Sequence, residues 1–446
     1  MSALASDVAV VRGPARPGGG VRAAYRTERR KLSNQLATRL LAVICVLAPF
    51  AFAAVLNVQS GTPADTLYGV WVHSSGFAVS LVVLGFSGSW GLPLMAGVLA
   101  GDVFSSEDRH GTWKTVLTRS CTRRHLFAGK VLAVATFALG LLLLLAVSSV
   151  VAGGLLIGLH PMVSLGGTTL SVGRSLGLVA VAWLLSALPL LAFASLAMLF
   201  SVATRNGIVG VLGPAIVDLV VQLLALVGTG VWLHLLLVSS GFDAWHALFV
   251  PHPFYGPLVI GEVVSLIWIV ACLGATWVLL RRRDFAGAPV ARRAGWVAPV
   301  RVAIASAALI ALLAVASNWG PVGVTSARLK ASITPTFNNL TLLQQRELGR
   351  TVAPGARLNV LPSCNRRASS PSGPGDWSCT LTVFIPQPGA VPFQQTPVTY
   401  DLTVQSNGCY KATSPPSFVG QQTMRDGNGK QVVNPLFVFY GCFNPL

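Results

Sequence analysis

The chain has 446 residues, is 53% hydrophobic and only 10% charged, and carries a formal net charge of +18. A mean hydropathy of +0.66 excludes an ordinary soluble domain of this size. The basic excess falls in blocks beside apolar runs, which argues for membrane topology and against nucleic acid.

Residues 1–21 are rich in Gly, Pro and Ala, including Gly18-Gly19-Gly20, and read as a disordered N-terminus. Residues 22–36 carry Arg22, Arg26, Arg29, Arg30 and Lys31 and read as an amphipathic interfacial helix. Apolar runs of roughly 20 residues follow, each long enough to cross a hydrocarbon core. Backbone in lipid must satisfy its own hydrogen bonds, so these runs are expected to be helices. Seven spans are expected, near 37–57, 77–100, 130–158, 175–202, 207–236, 258–280 and 300–319. The first run is too long for a cleavable signal and reads as a permanent anchor.

Basic residues set the expected orientation. They cluster before the first span and again at Arg281, Arg282, Arg283, Arg292, Arg293 and Arg301, whereas loops 58–74 and 237–257 have no Lys or Arg. The positive-inside rule then puts the N-terminus, the loop 101–129 and the linker 284–299 in the cytoplasm. The tail 320–446 falls outside. Arg174 lies at the outer end of the fourth span, where a single arginine can snorkel.

The loop 101–129 is a charge-dense island between long apolar runs. Its order is Glu107-Asp108, Gly111-Thr112, Val116-Leu117-Thr118, Arg119, Arg123-Arg124, then Gly129-Lys130 at the next span. Both charge signs beside Trp113, Val116 and Leu117 suit a protein-docking helix, with apolar groups to fill a groove and charges to steer. The bland alternative is a solvated loop whose arginines only fix topology.

Asp218 sits inside the fifth span, with Gln222 one turn later on the same face. A carboxylate at that depth faces protein or water, either as a pathway or interface residue or as a structural hydrogen-bonding group. Asp243, His246 and His252 share one outer loop, in a spacing that matches no metal-ligand motif. No metal, catalytic or nucleotide-binding constellation is legible. In particular, Gly129-Lys130 is followed by Val131, and Arg124 stands where a phosphate-binding loop needs its first Gly.

After Gly320 the composition turns polar. Leu340–Arg350 reads as a short helix, and residues 380–385, 399–405 and 434–440 read as strands. Cys364, Cys379, Cys409 and Cys442 lie in this tail, which has no His. Four cysteines in a small exported domain point to two disulfides. Spacing favours Cys364–Cys379 with Cys409–Cys442, although sequence permits three pairings.

The island resembles the first cytoplasmic loop of ABC-2-type transporter permeases, whose E-x-x-x-G-T…L-L-T…S-R…G-K stretch forms a coupling helix docked on the ATPase subunit. The resemblance covers roughly residues 22–283. It departs from the family at Arg119-Ser120, where a Pro often follows Leu-Thr, and in the seventh span and cysteine-bearing tail. It implies an all-α polytopic membrane helix bundle, with a six-span ABC-2-like core over 37–283 plus a seventh span at 300–319. A small C-terminal α+β or β extracytoplasmic domain would follow at 320–446. It further implies a permease subunit of an exporter in a bacterial plasma membrane. The implied partners are a separate ABC ATPase carrying ATP and Mg, and a second membrane subunit in a homodimer or heterodimer. ATPase docking falls to Glu107, Asp108, Gly111, Thr112, Leu117, Thr118, Arg123 and Arg124. This chain would hold no cofactor and catalyse nothing itself. Two rivals stand beside it: a membrane-anchored extracytoplasmic binding or sensory protein acting through 320–446, and a lipid-processing membrane enzyme, which the lack of clustered intramembrane His, Asp and Glu disfavours.

Overall fold

The computed structural model describes residues 20–59, 66–113, 122–226, 237–283, 323–353, 355–385 and 394–446. The seventh span expected at 300–319, the linker 284–299 and nearly all of the N-terminal tail lie outside these residues, as do Leu117 and Thr118.

The chain enters through α1, Val21–Asn34, and then α2, Leu36–Val58. Next come α3, Gly76–Phe86, a π turn over Ser87–Gly91, α4, Leu92–Ala100, and the short α5, Ser105–Arg109. Helix α6, Arg123–Leu156, starts inside the polar island, seven residues before the expected span, because the Thr122 hydroxyl caps it by accepting from the His125 N–H at 3.3 Å. A small hairpin, β1 at Met162–Val163 and β2 at Thr169–Leu170, leads into α7, Val172–Leu185. The expected fourth span breaks at Ser186 and resumes as α8, Ala187–Thr204, with Pro189 in the first turn where its missing N–H is tolerated. Helices α9, Gly207–Leu226, and α10, Gly256–Arg282, complete the described bundle.

Among the described residues, the segments 36–58, 76–109, 123–156, 172–204 and 256–282 are long and apolar enough to cross a membrane; α9 is apolar but shorter, and its expected continuation to 236 is not described. Helix α6 packs on α1, α2 and α3, and α8 packs on α4, α9 and α10. Small residues bring the backbones together. A Cβ on Gly76 would lie 2.4 Å from the Gly153 carbonyl, and one on Gly101 would lie 2.3 Å from the Gly210 backbone. Such contacts are the usual way helices associate in lipid, where burial alone drives little. Leucines and isoleucines such as Leu143, Leu184, Ile216 and Ile267 stay exposed on the outer faces, as a lipid-facing surface requires.

The loops gather at two ends. One end holds α1, α5, the start of α6 and the arginines closing α10. At the other, Ser75 donates its hydroxyl to the His160 carbonyl (2.8 Å), and the Leu165 N–H donates to the Phe249 carbonyl (2.9 Å). Tyr68, Trp245 and Phe249 form a buried aromatic cluster there, with Tyr68 and Phe249 ring centroids 5.6 Å apart. Two 3-10 turns, Val238–Phe242 and Ala244–Leu248, lead from this cluster towards α10. Gly241 lets the chain fold against Pro189 and Ser265.

The β-rich tail sits at this second end. Helix α11, Ser326–Glu347, replaces the short helix expected at 340–350. Its stripe of Leu329, Ile333, Phe337 and Leu340 repeats every three or four residues and covers an antiparallel sheet. The strands are β3, Asn359–Arg366; β4, Gly375–Ile385; β5, Gln394–Val404; and β6, Cys409–Thr413. A single-turn α12, Pro416–Val419, and the ribbon of β7, Thr423–Arg425, and β8, Gln431–Val433, precede β9, Val438–Cys442. The sheet order is β3-β4-β5-β6-β9. Cys364 faces Cys379 across β3 and β4, and Cys409 faces Cys442 across β6 and β9; both pairs are disulfide-bonded. The tail touches the bundle through the Asn339 side-chain amide, which donates to the Gly166 carbonyl at 2.8 Å.

Glu347 ends α11 with one carboxylate oxygen buried and unpartnered, facing the Asp426 turn. Burial, reinforced by Asp426, raises its pKa from 4.5 to about 7. The folded tail therefore holds a proton that the unfolded chain releases above 4.5, so its stability falls as pH rises from about 4.5 through 7. Glu347→Gln is expected to flatten that decline. Protease nicking of the full-length protein at pH 5 and pH 8 checks this: the wild-type tail is cut faster at pH 8, and the variant at equal rates.

Candidate docking face and membrane-embedded carboxylate

Helix α1 buries a stripe four residues apart, Ala24, Glu28 and Leu32. It lies directly on α6 because Gly129 has no side chain: a Cβ there would be 2.6 Å from that of Ala24. The following Lys130 is completely buried. Its Nζ donates to Glu28 Oε1 at 2.8 Å, to the Val103 carbonyl at 3.0 Å and to Glu107 Oε1 at 3.2 Å. It also lies 5.7 Å from the centroid of the Phe104 ring. Lys31 reaches the same Glu107 Oε1 at 2.8 Å and the Ser106 hydroxyl at 3.0 Å. The Thr112 hydroxyl donates to the other oxygen of Glu107. Two lysines and two glutamates thus form a charge-balanced cluster joining α1, α5 and α6. Ion pairs in a buried site of this kind stabilise only when every charge is matched.

A second junction ties the island to α10. Asp108 Oδ1 accepts from the Trp113 indole N–H at 2.9 Å and pairs with Arg283. The Arg283 guanidinium lies 5.8 Å from the Trp113 ring centroid. Arg123 donates to the Arg281 carbonyl at 2.8 Å.

The eight residues expected to dock a partner therefore have different placements. Glu107 and Asp108 turn inward, and Thr112 is bonded to Glu107. Gly111 is an exposed turn with φ +63°. Arg123 is half-buried and Arg124 exposed. Trp113, read as part of an outward apolar contact, is buried beneath Arg283. The outward surface is instead Arg109, His110, Gly111 and Arg124, continued by Arg22, Arg26, Arg29 and Arg30 on α1. Arg109 is held at 2.9 Å by Asp102. Sequence reading missed Glu28 and the Arg283–Asp108 pair. Glu28 did leave a signal: it is the one acid between Asp7 and Asp65, and it falls on the stripe of Ala24 and Leu32.

Within the bundle, Asp218 is 1% exposed. Its Oδ2 accepts from Gln222 Nε2 at 2.7 Å, and the same amide donates to the Ser89 carbonyl in the π turn. The residue four on from Ser89 is Pro93, which has no N–H to donate, so the Ser89 carbonyl can accept from the Gln222 amide.

No curated protein matches the chain. Residues 25–212 match the family described as ABC-2 family transporter protein. That segment contains the α1–α6 junction, the island and the helices up to the first turn and a half of α9, and over these residues the chain is similar to ABC-2 family transporter proteins.

Proposed function

We propose that the chain is the membrane subunit of an ABC exporter, driven by separate ATPase subunits that dock on its basic end. The observation that carries this reading is the Lys130–Glu28–Glu107–Lys31 cluster. It welds the island to α1 and to span helix α6, so a push on one is felt by all three. The arginines outside the cluster supply the contact. ATP and Mg bind on the partner, and two membrane subunits, alike or different, enclose a pathway exposed alternately to each side. The basic end faces the cytoplasm. A seventh span at 300–319 carries the disulfide-bearing tail 320–446 to the outside, where oxidising conditions keep both disulfides.

The test is charge reversal on the outer surface. Arg124→Glu leaves the internal cluster intact and is expected to cut copurification of a coexpressed partner ABC ATPase by about tenfold or more, equivalent to about 1.4 kcal/mol. Undiminished copurification at low and high salt rejects this docking face.

A further inference from the structure

The tail rests on the end of the bundle opposite the island, at points that belong to different parts of it. The β1–β2 hairpin joins α6 to α7, and the two 3-10 turns lead into α10. Helix α11 of the tail grips the hairpin. Asn339 donates its side-chain amide to the Gly166 carbonyl at 2.8 Å. Leu340 covers Gly167, where a Cβ would lie 2.9 Å from the Leu340 Cγ. The last residue of the chain meets the other part: a Cβ on Gly256, the first residue of α10, would lie 3.0 Å from Leu446 Cδ1. Asn407 and Cys409 of the tail also face Ser240, Asp243 and His246 across a cavity of about 20 Å³.

A brace between two loops works only if it is stiff, and the two grips of the tail belong to one stiff body. Ser332 on α11 donates its hydroxyl to the Cys442 carbonyl at 3.2 Å, and Arg328 donates to the Pro445 carbonyl. The Cys409–Cys442 disulfide ties the start of β6 to the end of β9. The Phe443 N–H donates to the Gly408 carbonyl at 3.0 Å. The helix that holds the hairpin and the C-terminus that meets α10 therefore move together. Beneath them the two loops already touch: the Leu165 N–H bonds the Phe249 carbonyl, and a Cβ on Gly166 would lie 2.1 Å from the Pro251 ring. The face between tail and bundle is different in kind. It is polar and incompletely filled, and polar interfaces within a chain part more readily than a sealed apolar core.

We infer that the tail is an intramolecular brace, which holds the β1–β2 hairpin against the start of α10 and keeps this side of the bundle shut until the tail lifts. Alternating exposure requires the helix ends on one side to part. Two of those ends are gripped here by a single rigid body, so opening has to break the Asn339 contact, the Leu446 contact or both. The place of this step in a transport cycle rests on the transporter reading. The brace itself is tested on this chain alone.

Hydrogen exchange of the purified full-length protein in nanodiscs reads the two loops directly. Asn339→Asp keeps the shape of the side chain but sets an acceptor against the Gly166 carbonyl. Protection of residues 162–170 and 238–248 is expected to fall by about tenfold, with β4 and β5 unchanged. Unchanged protection in both loops overturns the brace. A cross-link supplies the opposite change. With Cys45, Cys121 and Cys272 replaced by alanine, Gly256→Cys and Leu446→Cys are joined by a short thiol-reactive linker. Holding the tail down is expected to slow exchange in the same loops by about threefold or more, because the second grip can no longer let go. This linked protein decides the matter if Asn339→Asp loosens β4 and β5 themselves: failure to link, or linking without slowing, overturns the brace. Neither measurement involves an ATPase, so the docking face stands or falls separately.

Discussion

Lys130→Met is expected to destabilise the membrane domain by about 3–5 kcal/mol, the usual cost of leaving buried charge without its partner. The substitution keeps the volume and apolar stem of the side chain, so little packing is lost. What is lost is the ammonium that answers Glu28 at 2.8 Å and Glu107 at 3.2 Å. Lys31 still neutralises Glu107, but nothing else among the described ion pairs reaches Glu28. Two acids then share one cation at a helix–helix contact. Adding Glu28→Gln should recover a large part of the loss, because the remaining Lys31–Glu107 pair is balanced. Glu28→Gln alone should cost less than Lys130→Met, since Lys130 keeps Glu107 and the Val103 carbonyl. Thermal unfolding of the four proteins in detergent forms a double-mutant cycle. A Lys130→Met protein as stable as wild type, or two strictly additive changes, would show that the cluster is not coupled.

That experiment also separates two roles that the island's order in the sequence had merged. Glu107 and Asp108 look like docking residues by position in the motif, yet both carboxylates are spent inside the chain. Reversing their charge would break the α1–α6 joint and the Arg283 contact, so a lost ATPase would not show where it docks. Arg124 gives the cleaner answer because it takes part in neither junction.

Hydropathy made the long apolar segments 36–58, 76–109, 123–156, 172–204 and 256–282 legible, because each run must be apolar along its whole length to sit in lipid. The β-strands β4 and β5 were legible for a related reason: one face packs under α11 and the other does not, which leaves alternation in the sequence. Strand β3 was hidden by Pro362, which an edge strand tolerates and a central strand would not. Helix α11 was hidden by its chemistry. Pro335 sits in its middle, and Ser332, Thr334, Thr336 and Thr341 are weak helix formers. Several of these hydroxyls turn back on the helix, as Thr334 does on the Lys330 carbonyl at 2.8 Å. The long-range pairs were not legible at all. Nothing local in Glu28 points to Lys130, 102 residues away. The spacing of one helix shows which face is buried, not which partner lies beneath it.

The glycine contacts lead to an inversion of an ordinary rule. In a helix, Gly→Ala normally stabilises by about 1 kcal/mol, because alanine loses less backbone freedom on folding. Gly140 in α6 meets nothing within 4 Å, so Gly140→Ala should follow the rule. Gly210 in α9 should break it. A Cβ there would lie 2.1 Å from the Gly101 carbonyl oxygen, and the obstacle is backbone, which cannot rotate away. The next residue is equally committed: a Cβ on Gly97 would lie 2.1 Å from the Val211 carbonyl oxygen. Helices α4 and α9 therefore cannot slide to relieve one contact without opening the other. Gly210→Ala is expected to cost about 1–3 kcal/mol net, and Gly210→Val more. The separation should also pull Gln222, on α9, from the Ser89 carbonyl, in the π turn that runs directly into α4. If Gly210→Ala and Gly140→Ala shift the unfolding temperature equally, the backbones of α4 and α9 are not in contact at Gly210.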